Sequence, residues 1–419
     1  MQKSKYTYRL DNGDTVYFMN GISQEFIKVS KNQAEQVEYL LENEEECRET
    51  FPTFYKKMYE KCFITDSHVH EIELLKAKYE QVKQPHLFRL MVLPTYQCNL
   101  RCWYCTQEHN DLYITPETVE KLKRLIDKVM ADSEIHNFVL SWFGGEPVLG
   151  YDTIIELSSY AKEQCEKHGK YFTSDLTTNS TLLNQERISK LISLGVKSFQ
   201  ITIDGPKRLH DTIKCLDQGS AFEKAMENIE YIAQNGVYCA VRFNYTHKNL
   251  FPEEIAADLK AHLTSEARKN CQFMLYKVWQ EDSNSIPKEK IDKLFYLTRD
   301  LGMRPCCGVL ELCYADYKNF CCVYPNGKVA KCDNHNPTML TSEISNDGKI
   351  KWSSQITDVP EIKPEDGTAC SLCRFFPVCW GPCAGRRQGG ANADKCVFDE
   401  SYIIEMLTNY CRSIDKESH

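Results

Sequence analysis

The chain has no run of about 18 uninterrupted apolar residues, which excludes a membrane-spanning helix. Residues 1–15 are polar and charged, with no apolar stretch followed by a small-residue cleavage site, so a secretory signal is not expected. A surplus of positive charge is also missing: 51 Lys and Arg stand against 59 Asp and Glu, a net charge of -8. Phosphate-backbone binding needs a clustered basic surface, so neither nucleic acid nor membrane is expected as a partner. No internal repeat and no low-complexity tract occurs. The expectation is a soluble, cytoplasmic protein of two or three unequal domains, since 419 residues exceed one ordinary core.

Cysteine, by contrast, is abundant. Twenty-one occur in a long chain without a signal, several at short spacings, which favours metal thiolate ligation over disulfides. Cys47, Cys62, Cys165, Cys215, Cys239, Cys271 and Cys411 have no paired spacing and are expected to be mostly small buried apolar residues.

Residues 1–85 read as a small winged-helix-like module. Three alternating runs near 6–10, 15–19 and 25–29 are separated by Asp11-Asn12-Gly13 and Asn20-Gly21 turns, and helical spacing follows at 33–41, 51–62 and 71–82. Residues 86–283 then alternate short apolar strands, at 88–94, 137–143, 172–178, 198–204, 239–245 and 272–278, with amphipathic helices such as 116–130, 185–194 and 222–234. That is the pattern of parallel strands joined by crossover helices. Six such units predict an α/β fold, a partial (β/α)6 TIM-like barrel, because the closed eight-fold barrel takes roughly 250 residues. A linking helix is expected at 284–303, and residues 304–419, where periodicity fades, would need metal staples.

Cys98-Asn-Leu-Arg-Cys102-Trp-Tyr-Cys105 follows the first barrel strand, at the strand end where barrel active sites lie. Structural zinc and plain electron-transfer clusters usually take four protein ligands, whereas a 4Fe-4S cluster on three thiolates keeps one iron open. An open iron can chelate a methionine moiety and set a sulfonium beside the cluster for one-electron cleavage, a kind of radical chemistry that a cofactor supplies.

At these positions the chain resembles the radical S-adenosylmethionine (SAM) superfamily, whose CxxxCxΦC motif matches Cys98, Cys102 and Cys105 with Tyr104 as the aromatic residue. Gly144-Gly145-Glu146-Pro147, ending the second strand, is similar to the family's GGEP segment, which binds the methionine amino group. Thr178-Asn179-Ser180 resembles the ribose-binding element, with Ser180 where glycine is common. Thr202 and Asp204 end the fourth strand, and Arg242 on the fifth stands where it could pair with the SAM carboxylate or form a structural ion pair.

Cys370-x2-Cys373-x5-Cys379-x3-Cys383, preceded by Cys313-x13-Gly327-x4-Cys332 and followed by Cys396, resembles the seven-cysteine SPASM pattern. The resemblance implies two auxiliary 4Fe-4S clusters, three clusters in all: one on Cys307, Cys313, Cys332 and Cys383, the other on Cys370, Cys373, Cys379 and Cys396. Cys306 could replace Cys307, Cys321 and Cys322 offer further thiols, and spacing alone does not choose iron over zinc. Asp333 matches the aspartate proposed as proton acceptor in sulfatase-maturing relatives, and His335 is a weaker candidate.

Members of this group mostly modify peptides, and the first module resembles the recognition element of ribosomal-peptide maturases, where a leader peptide adds a strand to a sheet edge. The resemblance thus implies a maturase that installs a thioether, carbon-carbon or carbon-oxygen crosslink in a precursor peptide, supplied with electrons by a donor such as flavodoxin or ferredoxin. The alternatives are a formylglycine-generating sulfatase-maturing enzyme and, from another class, a multi-cluster electron-transfer or zinc-structured binding protein.

Overall fold

The computed structural model describes residues 1–107, 109–278, 280–281, 287–305, 311–333, 340–357, 359, 361–387, 396 and 400–415. The chain divides into two compact units, one of Met1–Pro85, Cys307–Lys318 and Asp358–His419, the other of His86–Cys306 and Asn319–Thr357.

The larger unit is built on one sheet. Six strands, Leu87–Val92, Asn137–Trp142, Tyr171–Thr178, Val196–Ile203, Tyr238–Tyr245 and Cys271–Lys277, lie side by side in chain order, each pair parallel. Parallel neighbours need crossovers, and the sequence supplies well-capped helices for them. Pro116–Ala131, for example, starts with the Thr115 side chain accepting from the Thr118 amide and buries Val119, Leu122, Ile126, Val129 and Met130 along one stripe. Asn184 and Ser220 cap Gln185–Ser193 and Ala221–Gln234 in the same way.

Alternation along the strands sorts side chains onto two faces. Leu90, Leu140, Leu176, Ile201, Val241 and Phe273 pack with the helix residues in one core. The intervening positions, among them Arg89, Ser141, Asp175, Gln200, Thr202 and Arg242, therefore line the opposite, inner face. The six expected strands are thus all present as a parallel partial barrel. The first stops at Val92, short of position 94, because Pro94 has no N–H to give a sheet. Beyond the expected set, Arg304–Pro305 pairs with the sixth strand, Asn319–Val323 runs parallel to the first, and Val329–Ala330 pairs antiparallel with that.

In the smaller unit, Thr7–Asn12, Thr15–Asn20 and Phe26–Ser30 form an antiparallel sheet followed by helices Lys31–Glu42, Glu44–Thr50, Pro52–Glu60 and His68–Val82. One sheet face, Val16 and Phe18, packs on Ala34, Val37, Leu41 and Met58. Its other face, Tyr8, Leu10, Tyr17 and Met19, packs on Phe375, Val378, Ile403, Leu407 and Cys411, so the first strands share a core with the last helix, Glu400–Asp415. Tyr6 and Tyr79 likewise pack with Phe376 and Trp380.

No helix among the described residues is long and apolar enough to cross a membrane. No disulfide joins one described cysteine to another. Of those without paired spacing, Cys47, Cys165, Cys239, Cys271 and Cys411 are buried as expected. Cys215 is exposed, and Cys62 is half-buried with a left-handed backbone (φ 62°) just beyond the helix Pro52–Glu60.

Because the N-terminal sheet and the last helix share one apolar layer, Leu407→Ala should cost about 2–5 kcal/mol. The loss should appear as lowered amide-exchange protection across Thr15–Asn20, and unchanged protection there would contradict the shared core.

Candidate active site

The loop that follows Leu87–Val92 carries Cys98, Cys102 and Cys105, the first two half-buried and the third exposed. It is held from below by the segment after the second strand: Gly145 N donates to Thr95 O (3.1 Å) and Glu146 N to Gln97 O (2.8 Å). Both glycines are required. Gly144 has φ 133°, and a Cβ on Gly145 would lie 2.2 Å from Gln97 O and 2.4 Å from Tyr96 O, which are backbone atoms that cannot swing away.

Glu146 is fully buried, and its carboxylate accepts from Val148 N (3.0 Å), Thr178 Oγ1 (2.7 Å) and Asn179 N (2.8 Å). Burial pushes its pKa up, and these donors, together with the charge of Lys214, pull it back. The expected ribose element is therefore tied to the second strand end by a charged side chain. Asn179 continues the chain of contacts, donating to Asn99 Oδ1 (3.0 Å) and towards Cys98 Sγ (3.7 Å). Pro147 is buried at the start of the short turn Pro147–Gly150. Ser180 adopts φ 71°, the left-handed conformation that explains why glycine would suit the position. Asn228 Nδ2 secures it by donating to Ser180 O (3.0 Å) and Oγ (2.9 Å).

On the other side of the loop, the Tyr104 hydroxyl donates to Asp204, with Oδ1 at 2.7 Å and Oδ2 at 2.8 Å. Asp204 is fully buried with Lys214, whose Nζ lies 3.4 Å from Oδ2 and also donates to Thr202 O (2.7 Å). Asn244 reaches Tyr104 (3.2 Å) and Asp204 (3.4 Å), and Asp204 N donates to His210 Nδ1 (3.2 Å). Arg242 donates from Nε to Asn244 Oδ1 (3.1 Å), with its guanidinium 4.1 Å from the Tyr276 ring centre. Lys214, Asn244, His210 and Asn228 were not anticipated from sequence. A lysine 2% exposed carries no local signal, since only the fold sets an aspartate beside it.

Gathered at these strand ends are Cys98, Cys102, Tyr104, Cys105, Gly144, Gly145, Glu146, Pro147, Thr178, Asn179, Ser180, Thr202, Asp204 and Arg242. The loop suits an iron-sulfur cluster by its donor set. Leu100 N donates to Cys98 Sγ (3.4 Å), and N–H groups aimed at sulfur favour the thiolate. Burial raises Cys98, and raises Cys102 to about 11, with Lys214 and Tyr104 lowering the latter. The Cys105 thiol lies 3.4 Å from His109 Nε2, a neighbour also unforeseen. Among the described residues no three His, Cys, Asp or Glu side chains converge as the ligands of a single ion would.

In the smaller unit, Cys370, Cys373, Cys379 and Cys383 stand on consecutive turns around the short helix Phe376–Cys379. Burial lifts Cys379 to about 11, and Cys396, Cys370 and Cys373 are close enough to raise it further. Cys313 is half-buried ahead of the turn Tyr314–Asp316 in that same unit, whereas Cys332 belongs to the larger one. Cys332 Sγ lies 3.9 Å from Asp333 Oδ1. Cys321 and Cys322 are fully buried in Asn319–Val323. Cys306, Cys307 and His335 lie outside the described residues.

Gly145→Ala should force the 96–97 backbone away and loosen the cysteine loop, so that Cys98 alkylates faster in the metal-free protein and iron uptake falls; wild-type rates for both would contradict the close approach. His210, buried with Nε2 unpartnered and Nδ1 accepting, has its pKa held well down, first by burial and then by Lys214. Above the unfolded value near 6.5 both states are neutral and nothing is lost; below it the unfolded chain takes a proton the fold refuses. This residue should therefore lower stability by ~1.4 kcal/mol for each pH unit below about 6.5, a slope absent from His210→Asn in urea titrations at successive pH values.

Residues 92–261 match the Radical SAM superfamily. Over 158 residues the chain is 32% identical to the AdoMet-dependent heme synthase of Oleidesulfovibrio alaskensis, a stretch covering 37% of this chain and 38% of that protein. The chain thus spans well under half the length of this relative. Two solved structures share the fold at low identity. anSMEcpe with bound AdoMet and a peptide has a TM-score of 0.56 at 17% identity, covering 79% of this chain and 99% of that one. Streptococcus suis SuiB bound to precursor peptide SuiA has a TM-score of 0.51 at 15% identity, covering 96% and 99%. A matched family stretch, a parallel partial barrel and a three-cysteine loop at its strand ends agree: residues 92–261 form a radical SAM domain, and a domain of this kind takes SAM and a 4Fe-4S cluster.

Proposed function

We propose that this protein is a peptide maturase that cleaves SAM reductively and uses the resulting radical to abstract a hydrogen atom from a precursor peptide, installing a thioether, carbon-carbon or carbon-oxygen crosslink. The observation that carries the reading is the three-cysteine loop tied to the Gly144–Pro147 segment by two backbone hydrogen bonds. Cys98, Cys102 and Cys105 would hold the cluster, which when bound supplies the electron for SAM cleavage. Gly144 and Gly145 fix the loop's height above the sheet, Glu146 locks the second and third strand ends together, and Asp204 orients Tyr104.

The peptide part draws on two supports. The likeness to SuiB, whose structure holds a precursor peptide, extends over 96% of this chain, against 79% for anSMEcpe. The antiparallel sheet Thr7–Asn12, Thr15–Asn20 and Phe26–Ser30 has an edge strand of the kind to which an extended leader can add. We further assign one auxiliary cluster to Cys370, Cys373, Cys379 and Cys396, in line with their mutual proximity, and another to Cys307, Cys313, Cys332 and Cys383. In this reading Asp333 takes the proton and an auxiliary cluster, when bound, would take the surplus electron left after hydrogen abstraction, while flavodoxin or ferredoxin supplies the electron for SAM cleavage, in the reducing cytoplasm that thiols require.

Anaerobically reconstituted protein given dithionite and SAM should yield 5'-deoxyadenosine, and Cys102→Ala should abolish the product. Absence of cleavage in iron-replete wild type would defeat the radical reading. Incubation with short peptides encoded beside this gene should give one that loses a hydrogen pair by mass spectrometry. A formylglycine product would instead favour the sulfatase-maturing alternative.

A further inference from the structure

The inner face of the barrel carries a charged group that none of the functions above employs. Arg89 on the first strand, Ser141 on the second and Asp175 on the third face one another across the sheet. Arg89 Nη1 donates to Ser141 Oγ (2.8 Å) and to Asp175 Oδ2 (3.0 Å), and Ser141 Oγ donates to the same Oδ2 (2.9 Å).

All the bonding is on one side. Both Nη1 hydrogens and the serine hydrogen are used, while among the described residues Asp175 Oδ1 and Arg89 Nη2 have no partner and Arg89 Nε is buried without one. Ser141 fixes the orientation that leaves those atoms open. The Asp175 side chain is 31% exposed and that of Arg89 26%, so Oδ1 and Nη2, unlike the buried Nε, remain reachable. Oδ1 and Nη2 are a charged acceptor and a charged donor side by side, each with hydrogen-bonding capacity to spare for water or a ligand.

The pair is neutral overall, and its open edge offers one acceptor beside donors. An ammonium would suit Asp175 but stand against the spare N–H groups; a carboxylate would suit Arg89 but stand against Oδ1. A carboxamide satisfies both, with its NH2 donating to Oδ1 and its carbonyl accepting from Nη2. Thr202 and Arg242 lie on the same face, on the fourth and fifth strands.

We propose that Arg89, Ser141 and Asp175 form a recognition site on the barrel's inner face for a carboxamide side chain, asparagine or glutamine, of the substrate peptide. The inference rests on the peptide reading above and names the substrate feature that reading leaves open. Arg89 and Asp175 are specificity residues here and take no part in bond making.

The test uses the reconstituted full chain with SAM and four blocked tripeptides, identical but for a central glutamine, glutamate, lysine or leucine, with binding read by saturation-transfer NMR. The glutamine peptide should bind about tenfold more tightly than the leucine peptide, the gain from two hydrogen bonds to a charged pair. That preference should vanish in the double variant Arg89→Met, Asp175→Leu, which replaces the pair by apolar groups of similar length. Ser141→Ala should weaken it by freeing the pair to rotate. Tightest binding of the glutamate or lysine peptide, no binding of any, or a preference surviving in the double variant would overturn the proposal. Should the double variant not fold, the wild-type ranking and Ser141→Ala decide. Formation of 5'-deoxyadenosine by wild type separates the outcomes: cleavage without glutamine preference defeats this site alone, whereas no cleavage defeats the radical reading beneath it.

Discussion

A single carboxylate without access to water, that of Glu146, organises the strand ends. A buried charge is tolerated only when donors surround it, and here they come from its own turn and from the third strand end, through Thr178 and Asn179. Its backbone amide is meanwhile spent on Gln97 O, one residue ahead of Cys98. One residue thus fastens the cysteine loop and two strand ends to each other. Loosening it would expose a charge to apolar surroundings, so the arrangement is held by the cost of its alternatives more than by the strength of any one contact.

A second buried charge system faces the same loop. Asp204 and Lys214 are both excluded from solvent, and such a pair is favourable only when its remaining lone pairs and protons are bonded. Tyr104 and Asn244 bond the carboxylate and Thr202 O accepts from Lys214, while Asn249 Nδ2 holds the backbone by donating to Asp204 O (3.1 Å). The aromatic residue of the cysteine motif is therefore also a hydroxyl anchor. The three thiols sit on a loop pinned on one side by Glu146 and on the other by Asp204, and that rigidity lets a loop position a cofactor as a strand would.

The parallel sheet divides the chemistry. Its outer face is predominantly apolar and carries the packing energy, and the buried Ser174 there has its hydroxyl bonded to Leu140 O. Its inner face is free to hold arginine, aspartate, glutamine and threonine, because a partial barrel leaves that side unfilled by helices. The smaller unit follows a different logic: a three-stranded antiparallel sheet cannot bury both faces alone, and it borrows Ile403 and Leu407 from the opposite end of the chain.

The periodic part was legible in the order of residues: six strands, their crossover helices and three cysteines after the first strand. Alternation and capping are local properties, and Leu90, Leu140 and Leu176 reveal their face by spacing alone. The left-handed backbone at Ser180 was foreshadowed by the glycine expected in its place. Non-local partnerships emerged with the folded chain. That Lys214 is buried against Asp204, that Asn179 turns toward Cys98, that Cys321 and Cys322 sit inside a strand added to the barrel, and that Tyr8 packs on Phe375 all depend on segments far apart in the chain. Spacing reports which side of an element a residue lies on; burial and partnership arise only when elements meet.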